Sequence, residues 1–247
     1  MNPLLVGALL TTYVALLSLV VGALPSTRLR AVVYSIPIPM SMLSMLGPEL
    51  IEPNVIFGLI VNASFFWCVA AGDRTRFPRW LSTLLATLVY IGISWLMAGY
   101  IHLSLFLAVG LSIGLWVALQ PIVRRIPSHR VSPVTPIGPR RLLIVFLTAT
   151  GAVSIAGVLG PFVVTFPFTG ITMALTYPGS TVPFARTFWL NGLPPLVAYG
   201  IGLVVASEVG LPSWASVLCG LASWFTMTGV VALVQRPRGA APATTDT

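Results

Sequence analysis

"VVTFPFTGITMALTYP", residues 163–178, lies in an uncharged apolar run yet carries prolines at 167 and 178. Proline removes a backbone donor and breaks or kinks a helix. In hydrocarbon each carbonyl freed in this way needs another partner. An earlier stretch, "YSIPIPMSMLSMLGP", residues 34–48, repeats the pattern. At an offset of 130 residues Pro37 falls on Pro167, Pro48 on Pro178 and Pro53 on Pro183. Farther along the offset becomes 134, where Pro78 and Trp80 meet Pro212 and Trp214, while Asn62 meets Asn191 at an offset of 129. An ordered set of this kind points to an internal duplication.

Hydrophobic residues make up 57% of the 247 and charged residues 7%, against about 25% charged in soluble domains. The chain therefore belongs in a bilayer. A transmembrane barrel would alternate apolar and polar residues over segments of about 10, whereas these runs are continuously apolar and approach the roughly 20 residues of a spanning helix. Candidate helices are Pro3 to Leu24, Ala31 to Gly47, Pro53 to Gly72, Trp80 to Tyr100, Leu103 to Val123, Leu142 to Tyr177, Thr187 to Ala206 and Ser213 to Val234. The run 142–177 is too long for one span and long enough for two short ones at about 1.5 Å per residue.

The basic residues decide that count. All thirteen are arginines, cytoplasmic loops collect Lys and Arg, and a charge stranded in the core costs about 2.5–3.5 kcal/mol. With nine helices, Arg28 and Arg30, Arg74 to Arg79, Arg124 to Arg141, Arg186, and Arg236 and Arg238 all share one side, while Glu49, Glu52, Glu208 and His102 take the other. A single span at 142–177 would move Arg186, Arg236 and Arg238 across. Nine helices are thus expected, with the N-terminus outside and the C-terminus cytoplasmic. No basic region precedes the first apolar run, so it reads as a retained helix rather than a cleaved signal.

The +8 formal charge is accounted for by this asymmetry, and no nucleic-acid partner is implied. Anionic lipid head groups are candidate partners of Arg124, Arg125, Arg140 and Arg141. Cys68 and Cys219 lie in apolar spans far from histidine and read as small buried hydrophobes, so no metal or cofactor is expected.

The fold class is all-α: a polytopic bundle of about nine helices, with two four-helix inverted repeats joined by a linker helix. Residues 1–100 form the first repeat, 101–139 the linker helix and a basic loop, 140–235 the second repeat, and 236–247 a disordered tail. Four helices return a chain to its starting side, so the odd linker helix inverts the second repeat. Inverted repeats with helices interrupted at matching positions are a recurring transporter architecture with a midplane site. Pro37 and Pro167 mark the interruptions, and Ser41, Ser44, Thr165, Thr169 and Thr172 lie close enough to partner the freed carbonyls. Asn62 and Asn191, polar amides inside spans, complete the candidate permeation or packing site with Pro37, Pro167, Thr169 and Ser41.

The second half, from "SIAGVLGPFVVTFPFTGITMALTYPG" through "TFWLNGLPPLVAYGIGLVV" to "LPSWASVLCGLASW", resembles the GlpM family of small inner-membrane proteins. Phe166-Pro167, Pro194-Pro195 and Trp214 carry the resemblance. The first half keeps Ile36-Pro37 and has no proline inside its third helix. The resemblance implies a four-helix unit of weak charge bias in the bacterial inner membrane, present here as two fused, inverted copies. It also implies an association with alginate production and supplies no catalytic residue.

Two functions follow as expectations. The first is a small-solute or ion transporter or channel. No Asp, Glu, Lys, Arg or His lies deep in a span, which argues against proton-coupled exchange. The alternative is a non-transporting accessory or scaffold protein for envelope polysaccharide biosynthesis. An enzyme is not expected, because Glu49 and Glu52 read as a solvated outer loop.

Overall fold

The computed structural model describes residues 3–46, 50–127, 138–154, 160–177 and 179–234. Among them the structure is helical throughout. In chain order the helices are α1 (Pro3–Ala23), α2 (Thr27–Tyr34), α3 (Ile38–Leu46), α4 (Asn54–Arg74), α5 (Arg79–Tyr100), α6 (Leu105–Arg125) and α7 (Pro139–Ser154). A 3₁₀ turn (Gly160–Thr165) then leads into α8 (Phe168–Thr176). After it come α9 (Val182–Thr187), a π segment (Phe188–Gly192), α10 (Leu193–Glu208) and α11 (Ser213–Val234). Five runs are long and apolar enough to cross a membrane: α4, α5, α6, the continuous α9–α10 run and α11. The protein is a membrane helix bundle. The loop Glu49 and the tail 236–247 lie outside the described residues.

The expected helix at 31–47 is two helices. Pro37 has no N–H for the carbonyl of Val33, which accepts instead from Ile36 N at 3.2 Å. Ile38 N then donates to Ile36 O at 2.9 Å, and the helix resumes where Ser41 N donates to Pro37 O at 2.9 Å. The same three bonds recur 130 residues later. Phe166 N donates to Val163 O (3.3 Å), Phe168 N to Phe166 O (2.8 Å) and Ile171 N to Pro167 O (2.8 Å).

The turns between α4 and α5 and between α10 and α11 match at an offset of 134. Phe77 N donates to Gly72 O and Leu211 N to Ala206 O, at 3.1 and 3.0 Å. Arg76 has φ 60° where Gly210 has φ 82°. Pro78 and Pro212 then open the next helix, each accepting from residues three and four positions on.

Within 142–177 the described residues form separate helical segments, α7 before residue 155 and the 3₁₀ turn with α8 after residue 159. α7 packs beside α8, and both pack on α1. Thr148 Oγ1 donates to Thr172 Oγ1 at 3.2 Å, and Arg141 and Tyr177, at the two ends of this stretch, meet the same arginine-rich end of the bundle. There Arg141 Nη2 donates to Ser18 O at 3.5 Å, and the Arg30 guanidinium lies 5.0 Å from the centre of the Tyr177 ring.

That end also joins the α4–α5 and α8–α9 turns. Asp73 accepts from Thr181 N (2.6 Å) and Thr181 Oγ1 (2.9 Å). Arg79 pairs with Asp73 at 3.3 Å and donates to the carbonyls of Tyr177 and Gly179. At the opposite end Asn54 ties the start of α4 to the α5–α6 turn, donating to Ile101 O and accepting from Leu103 N, both at 3.0 Å.

Arg30 and Arg141 are not the solvated loop charges their positions imply. They are 0% and 7% exposed. The last carbonyls of a helix lack intrahelical donors, and Arg30 supplies them at the end of α1, donating to Gly22 O (3.2 Å) and, just beyond, to Leu24 O (2.6 Å). A cation at a helix C-terminus is also favoured by the helix dipole. Cys68 and Cys219 likewise depart from expectation: both are free and exposed on the outside of the bundle.

α4 and the α9–α10 run are the most buried of the long helical runs and form the centre, whereas α6 and α11 are outermost. Around that centre α5 packs on α8 and α11 on α3, and α4 packs on the 3₁₀ turn as the π segment packs on α2.

Candidate functional site at the paired helix breaks

The two proline breaks meet over one small cavity of about 40 Å³, bounded by Tyr34, Pro37, Asn62, Thr165, Phe166 and Thr169. Neither break leaves its backbone to chance. In the first, Ser41 Oγ donates to Pro37 O at 2.8 Å and lies 2.8 Å from the Tyr199 hydroxyl of α10. In the second, Asn62 Nδ2 of α4 donates to Thr165 O at 2.8 Å. Tyr90 of α5 reaches the same turn, donating to Phe162 O at 3.1 Å and lying 2.7 Å from Thr165 Oγ1. Tyr34, the last residue of α2, donates to Asn62 Oδ1 at 3.4 Å and so links the two breaks.

Aromatic packing holds this arrangement. The Tyr34 ring meets Phe66, Phe188 and Phe184 edge-on, with centroids 5.1, 5.1 and 5.8 Å away. Gly170 lets the second half-helix approach: a Cβ there would stand 2.9 Å from both Phe66 Cζ and Tyr34 Oη. Edge-on aromatic pairs add about 0.5–1.5 kcal/mol each beyond their buried area. The phenol of Tyr34 is thereby fixed where Asn62 can accept from it.

Of the residues singled out from sequence, Pro37, Asn62 and Thr169 line this cavity. Pro167 joins its lining residues Phe166 and Phe168, and Ser41 repairs the Pro37 carbonyl one turn away. Asn191 does not join them. It lies in the π segment, 9% exposed, and lines a separate lateral groove with Trp116 and Pro194.

Two further glycines allow close packing near these elements: a Cβ on Gly58 would collide with Thr165 Oγ1, and one on Gly192 with the Phe188 ring. Asn62 and Leu196 both line the small cavity.

Sequence reasoning missed Tyr34, Tyr90 and Tyr199. A signal existed: tyrosines of membrane helices favour the interfaces, and Tyr90 stands in the middle of its span. Among the described residues no three His, Cys, Asp or Glu side chains come together. The site offers neutral amide, hydroxyl and carbonyl groups, suited to coordinating a small ion or hydrogen-bonding a small polar molecule rather than to acid–base chemistry.

No known family, curated protein or solved structure matches this chain. The resemblance to the GlpM family therefore rests on its motif residues alone.

Proposed function

We propose that the protein is a transporter or channel for a small ion or polar solute, built from two inverted four-helix repeats with α6 between them. In this reading the chain crosses the bacterial inner membrane nine times. The arginine-rich end is cytoplasmic, the N-terminus is outside and the C-terminus is inside.

The observation that carries the proposal is the pairing of the breaks. Two proline interruptions with the same backbone bonds, 130 residues apart, face one shared cavity between the halves. Discontinuous helices meeting at a repeat interface form the sites of many secondary transporters. A volume of about 40 Å³ has room for a dehydrated ion or a molecule of a few atoms.

The test is flux into liposomes containing the purified protein, screened over monovalent cations, monovalent anions and small neutral solutes. Saturable flux of at least one, altered in Pro37→Ala and Pro167→Ala, supports the proposal. Folded protein inactive toward every solute would replace transport by the accessory role in envelope assembly.

A further inference from the structure

A second cavity, of about 990 Å³, opens on the flank of the bundle between α6 and α11, floored by the π segment and α10. It sits at the upper end of the roughly 300–1,000 Å³ of ligand sites. Its walls are mostly apolar, with Trp116 on α6, Val197 and Ile201 on α10, and Val230 on α11, and its polar lining includes Ser112, Gln120, Thr187 and Asn191. The helices on either side are the two least buried of the long spans, so the groove faces lipid.

Its mouth is basic. Arg124, in the last turn of α6, and Arg186, in α9, both line it, at the end where the other described arginines collect. Arg186 Nη2 donates to Arg124 O at 3.5 Å, and Arg124 Nε to Gln120 Oε1 at 3.1 Å. Among the described residues the one ion pair is Arg79 with Asp73, so neither groove arginine has a carboxylate beside it. Arg186 Nε is buried with no hydrogen-bond partner.

A soluble anion has no use for the long apolar wall, and a neutral lipid has none for two guanidinium groups. An amphiphile with an anionic head uses both. We infer that the groove between α6 and α11 binds one anionic phospholipid, its phosphate held by Arg124 and Arg186 and an acyl chain lying along α10. The arginine fork matches phosphate oxygens geometrically. The inference depends on membrane insertion but not on transport.

Native mass spectrometry of the full chain in detergent tests it, with phosphatidylglycerol and phosphatidylcholine of matched chains as probes. Each arginine beside an anionic head group changes affinity about fivefold, so the two together give about thirtyfold. Wild-type protein should retain one phosphatidylglycerol in preference to phosphatidylcholine by about that factor. R124Q/R186Q should lose the preference, R74Q at an exposed arginine outside the groove should keep it, and A198F should weaken both lipids by filling the groove with the charges intact.

Equal binding of the two lipids, or undiminished binding in A198F, overturns the site. So does competition by free glycerol phosphate as effective as by lipid, or a lipid-free dimer occupying the face. If R124Q/R186Q does not fold, the wild-type lipid preference and A198F decide.

Discussion

Replacing Asn62 by leucine removes a side-chain donor that serves the Thr165 carbonyl. The amide donates to Thr165 O at 2.8 Å and accepts from Tyr34 at the longer 3.4 Å. Thr165 ends the 3₁₀ turn just before the Pro167 break, so a leucine leaves its carbonyl facing apolar side chains. An interhelical hydrogen bond in a membrane protein averages about 0.6 kcal/mol with a maximum near 1.7, and an orphaned buried group costs about 1–3 kcal/mol. Asn62→Leu should therefore destabilise by about 1–3 kcal/mol, nearly all of it from the Thr165 side. Tyr34→Phe breaks only the longer bond and should cost about 0.6 kcal/mol or less. The double variant should cost less than the sum, because Tyr34 no longer carries a hydroxyl that has lost its acceptor. Reversible unfolding in mixed micelles measures all three. Wild-type stability in Asn62→Leu, or a Tyr34→Phe loss as large as that of Asn62→Leu, would refute the assignment of Asn62 to the second break.

Three further outcomes follow. Tyr90→Phe should lose about 0.5–1.5 kcal/mol in the same unfolding assay, since Thr165 Oγ1 can still donate to Phe162 O at 3.3 Å; a loss above about 3 kcal/mol would mean the turn has no second donor. Asp73→Asn should lose about 1–3 kcal/mol and make the 177–181 turn more susceptible to protease, and an unchanged digestion rate would contradict the tie to Thr181. Arg76→Gly should stabilise by about 0.5–1 kcal/mol, because the left-handed backbone costs a side chain about 1–2 kcal/mol and glycine returns part of that as entropy; a destabilised variant would contradict the match with Gly210.

Much of this arrangement was readable from local chemistry. Proline removes a donor wherever it sits, so Pro37 and Pro167 mark the breaks without knowledge of the neighbours. The partition of the arginines divides 142–177 into two segments, and the described residues there form two separate helices, α7 and α8. What escaped depends on contacts distant in sequence. Tyr199 reaches Ser41 across 158 residues, and Tyr90 reaches Phe162 across 72. The π segment escaped for another reason. A helix apolar on nearly every side is buried all round, so the 182–208 run has no polar stripe whose drift would reveal a widened turn, and nothing local says that Asn62 and Asn191 line different cavities. Arg30 escaped because an arginine just after an apolar run looks like a loop charge until the carbonyls at the end of α1 come into view.

The inverted arrangement of the two halves is tested most directly by sidedness. In a chain with Cys68 and Cys219 replaced, single cysteines are placed at Leu50, before α4, and at Ser180, an exposed residue in the turn held by Asp73 and Arg79. Intact cells are then treated with a membrane-impermeant thiol reagent. The account predicts that the cysteine at position 50 is labelled from outside and the one at position 180 only after the membrane is opened; labelling of both from outside would contradict it.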